Sequence, residues 1–266
     1  MIDERSAVPV ERPSLLLLGS EPWRAAREYL AHRVAGRVAG ARGDGHPVIL
    51  FPGLGTNDQA LAPLRDRCRA LGYNALGWGR GYNTGPHGDF ELWLSDLAAH
   101  LDTLLAPFAQ TATLIGWSLG GLYARELAKL KPHLVRQVIT FGTPFNAQAD
   151  HTNVGWVFRL LSGTELQFDP ALSARLRTPP PLPTTSIYSR ADGIVAWQTC
   201  LHEEAAPEVE DVEIGGSHTG MGWNRAVLAV VADRLAQPAG RWRPYVRKRP
   251  VPPAGLALFS PNWRQR

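Results

Sequence analysis

Short unbroken apolar runs alternate along this chain with longer stretches in which apolar side chains recur every three or four positions. Val48-Ile49-Leu50-Phe51 follows the punctuation Gly43-Asp44-Gly45-His46-Pro47 and has the length and composition of a strand buried on both faces. Residues 58–71 predict a helix closed by Gly72, and Tyr73–Trp78 a second strand. Asp89–Phe108 predicts a long helix with Leu92, Leu97, Leu101, Leu104 and Leu105 on its apolar side. Thr111–Trp117 and Val135–Phe141 read as strands on either side of a helix over Leu119–Leu130; Thr184–Tyr188 and Val209–Ile214 complete the strands. Strands alternating with helices imply right-handed crossovers and a mostly parallel sheet of about six strands flanked by helices, an α/β architecture.

Two stretches stand outside that alternation. Near the N-terminus, Pro22–Ala35 predicts a helix whose Trp23, Ala26, Leu30 and Val34 share one face, expected to pack against the body. After the fourth core strand the alternation stops over residues 144–183, which contain Trp156, Phe158 and Leu160 and end in Pro179-Pro180-Pro181-Leu182-Pro183. Such an insertion is either a small lid or a packed excursion. The longest aliphatic run, Leu15–Leu18, falls far short of the ~18 residues that cross a bilayer, follows Asp3, Glu4 and Glu11, and lacks a basic leader. The expected compartment is the cytoplasm.

Composition narrows the classes. With 266 residues, 44% hydrophobic and 20% charged, the chain has the makings of a globular core and not of a disordered segment. Two cysteines, Cys68 and Cys200, exclude a disulfide framework and a cysteine-built zinc site. The basic balance is local: seven of the 28 Lys and Arg residues lie after Gly240, where there is no acid, which leaves 21 bases against 24 acids in the rest. A nucleic-acid partner is therefore not expected. Membrane-surface contact through the basic, Pro-containing tail is a minor alternative to a tail whose Trp242 and Tyr245 pack on the body or on a second subunit. Oligomeric state is not readable from the sequence.

The chemistry centres on Gly116-Trp117-Ser118-Leu119-Gly120, which matches G-x-S-x-G between a predicted strand and a predicted helix. Glycines two before and two after the serine let the chain double back, and Ser118 then stands at a helix N-terminus that favours developing negative charge. A serine hydroxyl needs a base and an acid to orient it. Asp192, in Ser189-Arg190-Ala191-Asp192-Gly193, follows the fifth strand; His218, in Gly215-Gly216-Ser217-His218-Thr219-Gly220, follows the sixth. In a parallel sheet these loops open on one edge, so the three can meet. Asp211 and Asp169 are rival acids, set aside because one falls inside a strand and the other inside the insertion. Phe51-Pro52-Gly53-Leu54-Gly55 supplies a glycine-bounded loop, and the amides of Leu54 and Leu119 are the expected oxyanion donors. Trp117, Tyr82, Phe145, Trp156 and Phe158 are candidate substrate-binding walls. No metal cage is evident.

On these residues the chain resembles a serine hydrolase of the α/β-hydrolase superfamily, within its lipase and esterase branch, over about residues 46–236. The resemblance implies a Ser118 nucleophile, an Asp192 acid and a His218 base acting through an acyl-enzyme, no cofactor, and a small ester substrate with an apolar acyl group. It leaves residues 1–45 as a helical extension in place of the family's usual opening strands, 144–183 as a cap-like insertion, and 237–266 as a tail. The same residues would serve an acyltransferase or a perhydrolase, or a non-catalytic small-molecule binder on the same fold.

Overall fold

Strands with no polar face occupy the middle of the sheet. The computed structural model describes residues 10–34, 41–146, 170–203 and 205–247. β1 (Pro47–Phe51) and β3 (Ala112–Trp117) are buried at every position, whereas β6 (Val209–Glu213), at one edge, exposes Asp211 and Glu213 on either side of buried Val212. With β2 (Asn74–Gly77), β4 (Val135–Phe141) and β5 (Thr184–Tyr188) they form one wholly parallel sheet in the order β2-β1-β3-β4-β5-β6. Phe51 pairs with Gly116, Trp117 with Phe141, Phe141 with Ile187, and Tyr188 with Glu213. The C-terminal ends of five strands are thus level, and their loops open on one edge.

Each face of the sheet carries its own core. Ile49, Leu114 and Val138 point to the face covered by α3 (Phe90–Leu105), α4 (Leu119–Leu130) and α5 (Pro170–Arg177). Val48, Leu50, Ile115 and Ile139 point to the other, covered by α2 (Ala62–Ala70) and α6 (Arg225–Leu235). Asp89 and Asn224 cap α3 and α6 by accepting the amides of Leu92 and of Ala226 and Val227.

The six strands and the insertion after β4 are those the sequence predicted. Two helical faces are not. On α3 the buried stripe runs through Phe90, Leu94, Leu97, Leu101 and Leu105, while Leu92 is exposed. The N-terminal helix, α1 (Leu15–Val34), starts seven residues early and is turned over: Trp23 is 81% and Val34 87% exposed, whereas Glu21 and Ala25 are buried. The reason lies in what α1 meets. It packs on the turn Thr219–Gly222, where bare backbone amides want acceptors and apolar groups would leave them unpaired.

Of the insertion, 147–169, with Trp156 and Phe158, lies outside the described residues. Residues 241–247 of the tail run back along α6: Arg234 Nη1 donates to the Arg243 carbonyl at 2.7 Å, and Tyr245 N to Glu210 Oε2 at 2.6 Å. Tyr245 packs on the second core, as expected of a tail that returns to the body. Cys68 and Cys200 are both free and buried, and burial pushes the Cys68 thiol up to about 12. Among the described residues no helix is long and apolar enough to cross a membrane.

The β3–α4 turn tolerates no side chain two positions before or after the serine. A Cβ on Gly116 would lie 2.3 Å from Gly121 Cα, and one on Gly120 would lie 2.3 Å from the Phe51 carbonyl oxygen. Both obstacles are backbone, so neither can swing away. Gly116→Ala is expected to cost about 3 kcal/mol or more, lowering the thermal midpoint by roughly 6–12 °C. A midpoint unchanged within about 2 °C would show that the turn can open without cost.

Candidate active site

Ser118 occupies the turn between β3 and α4 with φ 53° and ψ −122°, a conformation that costs a non-glycine residue about 1–3 kcal/mol. The strain is held by hydrogen bonds on both sides: Ser118 N donates to the Phe141 carbonyl at 3.0 Å, and Gly121 N to the Ser118 carbonyl at 3.0 Å. The side chain stands at the N-terminus of a twelve-residue helix, where unpaired amides and the helix dipole favour an anion.

His218 lies beside it. The ideal Cβ of Gly142, next to the Phe141 that receives the Ser118 amide, falls 2.9 Å from His218 Nδ1. The Trp117 ring lies 5.7 Å from the imidazole. Asp192 Oδ2 accepts from His218 Nδ1 at 2.7 Å, while Asp192 Oδ1 takes the amides of Ile194 and Val195 at 2.8 and 2.7 Å. The carboxylate is thereby fixed at both oxygens, and it takes up the Nδ1 side of the imidazole. Ser118 and His218 are not hydrogen-bonded to each other, and among the described residues no other group engages Ser118 Oγ or His218 Nε2. All three side chains are buried, at 4% exposure each.

Burial pushes the His218 pKa down, but the carboxylates of Asp192 and Glu21 outweigh it and leave the imidazole more basic than an ordinary histidine. Among the described residues two other histidines also pair with an aspartate, and there the balance falls the other way. His202 Nδ1 contacts Asp211 at 2.7 Å, but its Nε2 is taken by Arg125 at 2.9 Å. His46 Nδ1 contacts Asp44, and its Nε2 meets Thr113 Oγ1 at 2.9 Å, at the opposite end of the strands. Burial lowers both pKa values, and in each the second charge nearby is a cation, Arg125 or Arg136.

The loop after β1 lies against the serine: a Cβ on Gly53 would sit 3.4 Å from Ser118 Cβ. The amides of Leu54 and Leu119 have no acceptor among the described residues, which leaves both free for an incoming oxygen. A residue overlooked in the sequence sets this loop. Asn83, fully buried, donates from Nδ2 to the Pro52 carbonyl at 2.7 Å; its carbonyl takes Gly55 N at 2.7 Å, and its own amide donates to Thr56 at 2.7 Å. Its neighbour Tyr82, the residue predicted for substrate contact, is 66% exposed.

The other predicted walls fare differently. Trp117 is nearly buried and backs the imidazole. Phe145 belongs to the first core, with the Arg125 guanidinium 3.8 Å above its ring and His202 4.5 Å away, so it is a packing residue in place of the predicted pocket wall. Trp156 and Phe158 fall outside the described residues. A cavity of about 580 Å³ lies between α1, α2 and α6 and is lined by Tyr29, Pro63, Arg67, Trp223 and Leu228. It contains neither Ser118 nor His218, and size alone supplies no chemistry. No three metal-ligating side chains converge among the described residues.

Comparison with known proteins agrees with the fold. A family profile described as alpha/beta hydrolase fold matches residues 46–176. The chain is similar to pimeloyl-[acyl-carrier protein] methyl ester esterases. It is 34% identical over 97 residues to that of Aromatoleum aromaticum, covering 34% of this chain and 39% of the relative. It is 29% identical over 130 residues to that of Shewanella woodyi, covering 47% and 48%. The chain thus spans between two fifths and half of the length of these relatives. A solved structure described under LipS and LipT, metagenome-derived lipolytic enzymes, superposes with a TM-score of 0.56 at 12% identity, over 74% of this chain and 96% of that one. At that identity the likeness is one of fold.

Proposed function

The chain belongs to the α/β-hydrolase superfamily, and on that premise we propose that it is a serine hydrolase of carboxylic esters with Ser118 as nucleophile, His218 as base and Asp192 as the acid that orients it. The observation that carries this reading is the buried 2.7 Å His218–Asp192 contact beside a serine held at positive φ. His218 Nε2 removes the Ser118 proton as Oγ attacks the ester carbonyl. The negative charge that forms on the carbonyl oxygen is received by the amides of Leu54 and Leu119, each such donor being worth about 2.7–4 kcal/mol. The imidazolium returns its proton to the departing alcohol, and water, activated by the same base, releases the acid. The working unit is residues 46–236 with α1 across the loops.

The substrate is a small ester with an apolar acyl group, a class supported by the methyl ester esterases and lipolytic enzymes that the chain resembles. The test is hydrolysis of p-nitrophenyl acetate, butyrate, octanoate and palmitate, with labelling by a fluorophosphonate and peptide mapping of the adduct. The expected result is release of free acid, with kcat/KM rising from acetate to butyrate, and an adduct on Ser118. Because the base must be neutral and His218 is more basic than an ordinary histidine, kcat/KM should fall on acidification along a limb lying above the usual pKa of about 6.5. Absence of both turnover and adduct would sink the reading.

A further inference from the structure

The helix that the sequence assigned to an extension carries a carboxylate into the centre of the site. Glu21, on α1, is only 3% exposed. Its Oε1 accepts the amide of Gly193 at 2.9 Å and the amide of His218 at 3.0 Å, and its Oε2 accepts the amide of Thr219 at 3.0 Å. Gly193 directly follows Asp192. One side chain therefore holds the backbone beside the acid and the backbone of the base, on the two loops that follow β5 and β6. Arg24, one turn along α1, donates to Glu21 Oε1 at 2.7 Å and also to the Ala191 carbonyl, tying the carboxylate to the acid's loop.

We propose that Glu21 is a positioning residue for the Ser118–His218–Asp192 reaction: it fixes the two loops relative to each other and places a second negative charge beside the imidazole that must become a cation. This rests on the hydrolase reading above. Three observations support it. Glu21 stays ionised in its burial, because the three amides and Arg24 hold its pKa below the usual carboxylate range against the opposing and largest effect of desolvation. A charged group buried this deeply is costly unless its partners need it. Of the three His–Asp pairs among the described residues, that of His218 has an acid and not an arginine as its next charged neighbour.

The charged groups around the imidazole are Asp192 from the loop after β5 and Glu21 from α1, with Arg24 behind Glu21. Glu28, further along α1, takes the amide of Ser217 at 2.8 Å and Asn224 Nδ2 at 2.9 Å. It holds the same loop without adding its charge to the imidazole, and so provides the control.

The test compares wild type, Glu21→Gln and Glu28→Gln by two readouts: the pH profile of kcat and KM on p-nitrophenyl butyrate, and the titration of the His218 imidazole by ¹⁵N NMR, which needs no turnover. Glu21→Gln keeps an acceptor for Gly193 and His218 but loses the charge and faces the Thr219 amide with a donor. It is expected to lower kcat about 10- to 100-fold with KM nearly unchanged, and to move both the acid limb and the His218 titration to lower pH. Glu28→Gln should leave the titration in place. Arg24→Met removes the cation that offsets Glu21 and should move the titration to higher pH, a check that survives if Glu21→Gln does not fold. A His218 titration unmoved in Glu21→Gln, or equally displaced in Glu28→Gln, overturns the proposal. Turnover absent in wild type with the titration shifted as expected would overturn the hydrolase reading and leave the positioning of His218 by Glu21 standing.

Discussion

Replacing Ser118 with alanine is expected to lower kcat on p-nitrophenyl butyrate by roughly 10⁴- to 10⁶-fold while KM and the unfolding midpoint stay close to wild type. Everything that shapes the turn lies in the backbone and in the glycines around it, and the amide of residue 118 still reaches the Phe141 carbonyl at 3.0 Å. Alanine adopts φ 53° at about the same cost as serine, so the elbow keeps its form and only the nucleophile disappears. Some catalysis should persist, since the free amides of Leu54 and Leu119 still polarise a carbonyl. Such residual activity over water is worth about 10³- to 10⁴-fold in enzymes of this kind. A correctly folded variant that keeps more than about 1% of the turnover would remove Ser118 from the mechanism and, with it, the elbow from the site.

Asp192→Asn should cost about 10⁴-fold in kcat by a different route. Asparagine keeps an oxygen for the amides of Ile194 and Val195, which now lie 2.8 and 2.7 Å from Oδ1, so the loop holds its shape. The group facing His218 Nδ1 becomes an NH₂. The imidazole must then accept at Nδ1 and carry its proton on Nε2, where it cannot take one from Ser118. The variant also removes the larger of the two carboxylate contributions that make His218 basic, so what remains of the acid limb should move to lower pH. Rate measurements across about pH 5–9 read both effects. A loss below about tenfold, or a limb that stays in place, would mean that Asp192 neither sets the tautomer nor stabilises the imidazolium.

The sequence reading succeeded where local pattern and global position agree. Helix α4 and strands β4 and β5 lie on the predicted residues, because turn-forming residues bound them: Pro132 after α4, Gly142 after β4 and Pro183 before β5. The contact of Asp192 with His218, and the place of Ser118 on the same edge, are legible because each residue follows a strand, and parallel strands carry their C-terminal loops to one edge. Periodicity misled on α1. Trp23, Leu30 and Val34 recur as a buried face should, but the surface awaiting that helix is a row of amides and not an apolar one. Glu21, Ala25 and Glu28 point inward instead. No rule of spacing marks a glutamate as an acceptor for loops 172 and 197 residues away. Asn83 is hard to find in the sequence for the same reason: apart from the Tyr123 hydroxyl, its partners are backbone carbonyls and amides, which nearly every residue has. Phe145 was misjudged as a wall because aromatic character is shared by cores and pockets, and here Arg125 lies on its ring.

At the far end of the strands, Thr113, His46 and Asp44 repeat the alcohol–imidazole–carboxylate series found beside β3's other terminus. There the hydroxyl also receives Gln137 Nε2 at 3.1 Å and is wholly sealed from solvent, so no electrophile can approach it. The same three functional groups act as mortar in one place and, in the proposed function, as a reagent in the other. What separates them is the further partner on the alcohol and the sign of the next charge, so a search for such series by atom type alone would not tell the two apart.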